Sequence, residues 1–174
     1  QLYEQTIAHF GFPDVLINNA GIAISSSVNT DADFWNSSWN KTLNVNLGAP
    51  AYLCKCFINI KRNKNIHSRF RIINISSRAA FRGETEDFIS YACSKGGVVS
   101  LTKTIARSFG KKDNVLAFTI APGFVKTEMI KDFLNKEGEN YVKKGIVLDR
   151  LTEPKDISPV VSLIVSGKLD HATG

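Results

Sequence analysis

The sequence predicts an α/β fold: a doubly wound parallel sheet, incomplete at both ends. Three observations predict it. Residues 14–17, 70–75 and 115–120 are short, mostly apolar runs of the kind found in strands buried on both faces. Longer segments with helical spacing of apolar residues separate them, which is the alternation of a parallel sheet covered by helices. Each run also gives way to small or polar residues, Asn18-Asn19-Ala20-Gly21, Ser76-Ser77 and Ala121-Pro122-Gly123, suited to turns over a ligand.

The elements follow in order. Leu2 to Phe10 reads as the tail of a helix, stopped by Gly11 and Pro13. Asp31 is a plausible N-cap for the next helix, with Phe34, Trp35 and Trp39 as its apolar face. That helix continues or restarts through Leu43, Leu47, Tyr52, Leu53 and Phe57, and residues 61–68 form a polar break. After the second strand, residues 82–87 are too polar for anything but a loop. A long helix over 90–109 presents Val98, Leu101, Thr102 and Ile105 on one side and ends at Gly110. Residues 125–145 read as a mobile helical insert. Residues 153–166 form the last helix, with Pro154 in its first turn and Pro159 still near its start. No internal repeat or low-complexity tract divides residues 1–174, so one domain is expected.

Composition excludes several classes. The 174 residues are 43% apolar and 22% charged, a globular balance. No apolar run approaches the ~20 residues of a membrane span, and no secretory leader opens the chain. Three cysteines make no disulfide scaffold, so a cytoplasmic setting is expected. Cys54 and Cys56 stand two apart on a helix, on different sides, and suit no metal pair. Net charge is +6, and no Asp or Glu occurs between Phe34 and Gly83, where Lys41, Lys55, Lys61, Arg62, Lys64, Arg69, Arg71, Arg78 and Arg82 lie. This stretch is either a solvated basic face or a field that attracts phosphates or an acidic partner protein. No nucleic-acid-binding motif accompanies it.

The central chemical observation is Tyr91-Ala92-Cys93-Ser94-Lys95. Positions i and i+4 share a helix face, ~5–6 Å apart at Cβ. A lysine cation there favours tyrosinate, so the Tyr91 pKa is expected to fall toward neutrality, where a phenol can trade protons. The pair alone is weak, since Tyr-x-x-x-Lys arises often by chance as a surface pair. Ser77 at the exit of the second strand strengthens it, because ligands of parallel sheets bind at the carboxyl ends of the strands. Asn18 to Gly21 and Pro122-Gly123 end the other two strands on the same edge of the sheet.

Taken together, these pieces resemble the short-chain dehydrogenase/reductases. The matching residues are Phe10 to Gly21, Asn44-Val45-Asn46-Leu47-Gly48, Asn74-Ile75-Ser76-Ser77, Tyr91-x-x-x-Lys95, Ala121-Pro122-Gly123-Phe124-Val125-Lys126-Thr127-Glu128-Met129 and Leu148 to Pro154, in family order from end to end. The nearest flavour is the β-ketoacyl-acyl-carrier-protein reductase branch. The resemblance implies a Rossmann-like fold and an oxidoreductase that transfers a hydride between NAD or NADP and a carbonyl or alcohol substrate. It implies Tyr91 as proton donor or acceptor, Lys95 as its pKa-lowering partner and ribose ligand, Ser77 at the substrate oxygen, and Asn46 on a water relay toward Lys95. The alternative for Asn46 is a buried side chain tying helix turns together. Asn19, Ala20 and Gly21 are expected on the adenosine-ribose side of the cofactor, and Pro122, Gly123, Val125 and Thr127 at the nicotinamide carboxamide and phosphates. A homo-oligomer is expected, as is a small substrate, with the basic stretch greeting an acidic acyl carrier protein.

The chain departs from the family pattern at its ends. No GxxxGxG or GxGxxG occurs among its twelve glycines, and Gly96-Gly97 sits within the Tyr91 helix, where close packing is the expected reason. Residues 1–174 read as the C-terminal two-thirds of the family's fold. Alone, such a piece is expected to expose the apolar edge of its first strand and to be poorly soluble or inactive. A non-catalytic truncated remnant, acting as an oligomerising or binding module, is the alternative function.

Overall fold

The computed structural model of the protein describes residues 2–174. Strands β1 (Val15–Asn18), β2 (Phe70–Ile75) and β3 (Val115–Ile120) form a parallel sheet in the order β1-β2-β3. β2 lies in the middle, and four of its six residues are buried. β1 begins one residue later than the sequence suggests and ends on Asn18. On the described side of the sheet β1 pairs with β2 alone, and Ile17 remains 45% exposed.

The helices divide between the two faces. On one face α3 (Ala49–Asn63) and α5 (Ile89–Asp113) enclose a core of Cys54, Phe57, Ile58, Phe70, Ile72, Ile105, Val115 and Ala117. Phe57 and Phe70 are each 1% exposed, with ring centroids 4.6 Å apart. On the other face α8 (Pro154–Val165) brings Ile164 onto Ile73 and Phe118. The alternation of β2 makes this division: Phe70 and Ile72 face one layer, Ile73 and Ile75 the other.

α1 (Leu2–Phe10) precedes β1, and α2 (Ala32–Leu43) follows it. The Asp31 carboxylate caps α2 by accepting from the Phe34 N–H at 2.8 Å. The buried face of α2 is Ser38 and Thr42, not the expected Phe34, Trp35 and Trp39. Small side chains let α2 approach α5 closely. The two indoles stack on each other instead, 5.2 Å apart and half-buried, and Phe34 is 47% exposed. α2 runs into α3 through a single π-turn, Asn44–Gly48. In α3 the expected apolar stripe is only partly inward: Phe57 is buried, but Tyr52 and Leu53 face solvent.

Two helix ends differ from the sequence expectation. α3 continues to Asn63, and Lys61, expected in a polar break, is buried inside it. Its ammonium donates to the carbonyls of Ile66 and Ser68 and lies 4.5 Å from the centre of the Phe70 ring. The cation thus satisfies carbonyls just past a helix C-terminus, where positive charge is favoured. α5 passes through Gly110, and Asn114 ends it in the left-handed conformation (φ 53°), its N–H bonding Phe109 O. One interior glycine costs about 1 kcal/mol, which the packing of α5 on β3 outweighs.

α4 (Ala79–Arg82) is a single turn just before the segment expected as loop, and a 3-10 turn, Glu86–Phe88, occupies the end of that segment, leading directly into α5. Residues 125–145 hold α6 (Lys131–Glu137) and α7 (Glu139–Lys143), fastened by a Val125–Thr152 bridge and by buried Val142. α8 opens with a capping box between Glu153 and Asp156. Pro159 lies within α8 and cannot donate to Lys155 O; the Ser158 hydroxyl does so, at 3.4 Å. Beyond α8, Thr173 and Gly174 lie against β3: the Ala117 N–H donates to the Thr173 hydroxyl at 3.0 Å, and Gly174 N–H donates to Ala117 O at 3.0 Å.

Part of the basic stretch is paired with acids from later in the chain. Arg62 makes a bidentate pair with Asp113, Arg69 and Arg71 share Asp170, and Arg82 pairs with Glu84. The arginines of the stretch are thus largely held in local pairs, and its net charge stays positive.

Phe57→Ala should lower stability by about 3–5 kcal/mol, the range for a fully buried phenylalanine, and urea unfolding followed by circular dichroism measures it.

Candidate active site

The site is built where β2 meets α5. Three consecutive residues at the end of β2 bond to that helix. Asn74 Nδ2 donates to Thr102 Oγ1 at 2.8 Å. Ile75 O accepts from Lys95 Nζ at 2.9 Å. Ser76 Oγ donates to Lys95 O at 2.9 Å. The Ser77 hydroxyl accepts from the Ala79 N–H at 3.1 Å and is close enough to the Tyr91 phenol to act on its pKa. Ser76 and Ser77 are thus distinguished by direction: Ser76 is spent on the backbone of α5, and Ser77 meets the phenol.

Tyr91 and Lys95 share a face of α5, with Lys95 Nζ 5.8 Å from the centre of the Tyr91 ring. The sequence expectation for the phenol is corrected here. The Tyr91 pKa is raised, first by burial; the Ser77 hydroxyl opposes this, and Glu84 adds a smaller upward push. The Lys95 ammonium is itself bonded to the Ile75 carbonyl. Burial acts on Lys95 as well and brings its pKa down to about 8. Spacing placed the two groups together, and desolvation decides their protonation.

Asn46 sits in the π-turn, 1% exposed. Its amide pairs with both backbone groups of Ile22, donating to the carbonyl and accepting from the N–H, each at 2.8 Å. The Asn46 amide also donates to Ser94 Oγ at 3.0 Å. The side chain therefore ties the loop after β1 to α5. Ser94, fully buried, was missed by sequence reasoning. Its hydroxyl donates to Tyr91 O at 2.7 Å, and its place three residues after Tyr91, facing inward, was the available signal. Asn18 was passed over too: its amide donates to Asn74 Oδ1 at 2.7 Å, linking β1 to β2 beneath the site.

Gly21 completes the group. A Cβ there would stand 3.3 Å from Lys95 Nζ and 3.4 Å from Asn46 Oδ1. Gly97 serves packing alone: a Cβ would come within 2.6 Å of Leu47, so the glycine lets α5 touch the π-turn. The structure thus brings Gly21, Asn46, Ser77, Tyr91 and Lys95 together. Asn19 and Ala20 are exposed on the loop after β1. Pro122 and Gly123 border the site, since Pro122 O accepts from Arg78 N–H at 3.0 Å. Val125 bridges to Thr152 and the Thr127 hydroxyl donates to Val125 O at 3.3 Å, so these two are held within the following segment.

A parallel sheet whose central strand delivers a serine to a Tyr-x-x-x-Lys helix defines the class of the short-chain dehydrogenase/reductases. The chain belongs to this family, through the model described as Enoyl-(Acyl carrier protein) reductase, which matches residues 1–174. Among its relatives, 3-oxoacyl-[acyl-carrier-protein] reductase of Chlamydia muridarum is 30% identical over 173 residues, covering 98% of this chain and 65% of the relative. NADP-dependent (R)-specific alcohol dehydrogenase of Lentilactobacillus kefiri is 31% identical over 175 residues, covering 100% of this chain and 67% of the relative. The solved structure of 4-hydroxyisoleucine dehydrogenase complexed with NADH superposes with a TM-score of 0.85 at 30% identity, covering 99% of this chain and 68% of that one. The chain spans about 65% of the length of the first of these curated relatives. Among the described residues no helix is long and apolar enough to cross a membrane.

Lys95 predicts a pH signature. Its folded pKa of about 8 lies below the ordinary 10.5. Between these values the unfolded chain holds a proton that the folded chain has released, so stability rises with pH across this window. The gain reaches about 3 kcal/mol. Lys95→Met should abolish this rise, as measured by urea unfolding at pH 7.5, 9 and 10.5.

Proposed function

We propose that this chain carries the proton-transfer centre of a nicotinamide-dependent oxidoreductase that interconverts a carbonyl and an alcohol. The observation that carries this reading is the Ser77–Tyr91–Lys95 group at the carboxyl end of β2, with Asn46 and Gly21 closing it from the β1 side.

The residues suit a dinucleotide. Lys95 Nζ spends one donor on Ile75 O, which leaves N–H groups for the two hydroxyls of a ribose. The glycine at 21 keeps the space over that ammonium open. Asn19 and Ala20 would line the adenosine side, and Pro122, Gly123, Val125 and Thr127 the nicotinamide side. When bound, the reduced cofactor would supply the hydride to a carbonyl, and the oxidised cofactor would take it from an alcohol. The protein supplies the rest. Ser77 holds the substrate oxygen and stabilises charge developing on it. Tyr91 gives its phenolic proton to that oxygen in reduction, or takes the hydroxyl proton in oxidation. Asn46 acts in this reading by fixing the loop after β1 against α5, since both of its amide ends are occupied by Ile22 and Ser94.

The raised Tyr91 pKa keeps the phenol protonated at neutral pH, the form that can donate to a carbonyl oxygen. A carrier-linked acyl substrate is the finer form of the proposal; the Chlamydia muridarum relative bears the name of a reductase acting on such a substrate. A homo-oligomer belongs to the same reading, supported by the exposed Tyr52 and Leu53 on α3. The cytoplasm is its proposed location.

Tyr91→Phe should reduce turnover at least about a hundredfold, the usual contribution of a positioned acid, while nicotinamide fluorescence titration still detects cofactor binding. In the unsubstituted protein, alcohol oxidation should climb as pH rises toward the raised phenol pKa, and carbonyl reduction should fall over the same range. Near-full activity of the Phe variant would refute the role of Tyr91.

A further inference from the structure

The arginines of this chain divide sharply by partner. Arg62, Arg69, Arg71, Arg82 and Arg150 each form an ion pair with a carboxylate. Among the described residues Arg78 and Arg107 form none. Arg107 is exposed along an open groove on α5, where water serves it. Arg78 is different. It directly follows Ser77 and is half-buried. Its N–H donates to Pro122 O at 3.0 Å, which fixes its backbone to the turn after β3. Its guanidinium carbon lies 4.1 Å from the centre of the Phe124 ring. Phe124 is in turn stacked on Phe133 of α6 at 5.4 Å.

This placement leaves a cation short of a counterion. Burial, and then the neighbouring Arg82, weaken the hold of Arg78 on its proton. Glu84 acts electrostatically on both Arg78 and the Tyr91 phenol. The Glu84 carboxylate itself is bonded to Arg82 at 3.2 Å. A guanidinium lying on an aromatic face keeps its edge N–H groups for a planar or tetrahedral oxyanion. A half-buried, unpaired charge is unfavourable unless something completes it. The guanidinium of Arg78, with no carboxylate bonded to it, is free to receive an anion.

We propose that Arg78 is a specificity-determining residue that selects substrates whose reacting carbonyl is joined to an oxyanion, held by the guanidinium on the Phe124 ring while the carbonyl oxygen meets Ser77 and Tyr91. The assignment rests on the oxidoreductase reading for its reacting centre. The oxyanion has two possible sources: the carboxylate of a free keto acid, or the phosphate of a pantetheine arm carrying an acyl thioester.

The test compares charged and neutral partners on the full chain with nicotinamide cofactor present. Acetoacetate is set against its methyl ester, and acetoacetyl-pantetheine 4′-phosphate against the dephosphorylated thioester. Binding is read by calorimetry, and KM and kcat by nicotinamide absorbance. The expected result is at least about tenfold tighter binding of the charged member of one pair, as a charge-assisted bidentate contact gives. Arg78→Gln should erase that preference through KM. Preference in the first pair identifies the carboxylate, and in the second the phosphate. Equal affinity within both pairs overturns the proposal without recourse to any variant. A preference that survives in a natively folded Arg78→Gln also overturns it. If no substrate turns over but calorimetry still finds Arg78-dependent anion binding, the oxidoreductase reading fails and the anion site stands. If turnover occurs with the same charged-to-neutral ratio in both proteins, the oxidoreductase reading stands and the role of Arg78 fails.

Discussion

The structure depends on one seam, the contact between the last residues of β2 and the inner face of α5. Asn74, Ile75 and Ser76 bond in turn to Thr102, Lys95 and Lys95, and Ser77 stands by Tyr91. A part-buried backbone carbonyl and two buried side chains find their partners along one helix. None of these groups can turn away without leaving another unsatisfied, at about 1–3 kcal/mol each. The seam is what turns a strand and a helix into a site: it fixes the height of Lys95 and the direction of Ser77 at once. The apolar core beneath it, Phe57 on Phe70, supplies stability but sets neither position.

Asn46 performs the equivalent task from the opposite side. Its amide imitates a strand neighbour for Ile22, pairing with both the N–H and the carbonyl of that residue. It can do so because the helix widens into a π-turn at 44–48. The opened turn, Gly97 under Leu47 and Gly21 over Lys95 are one arrangement, in which backbone comes close wherever the site needs it.

Much of this was legible in the residues. β2 and β3 fall on their apolar runs, and the Asp31 cap and the first-turn Pro154 mark their helices. The resemblance of the motifs led to the right family, and the spacing of Tyr91 and Lys95 put them on one face. What stayed hidden depends on tertiary contact. The indoles of Trp35 and Trp39 look like an inward stripe, yet α2 buries Ser38 and Thr42 because a close helix crossing wants small groups. Gly110 looks like a stop, yet the helix is carried past it by its packing and ended by Asn114. The direction of the Tyr91 pKa could not be read at all, since it turns on how much water each group loses. The basic run of residues 41–82 concealed its acids, which arrive from positions 84, 113 and 170.

The two flanks of the sheet are unlike each other. Along β3, the Thr173 hydroxyl and the Gly174 amide already occupy the hydrogen-bonding groups of Ala117, as a neighbouring ribbon would. Along β1 nothing described here does the same, and Ile17 stands partly bare. Among the described residues the open hydrogen-bonding edge of the sheet is therefore that of Val15 to Asn18, directly before the loop that carries Gly21.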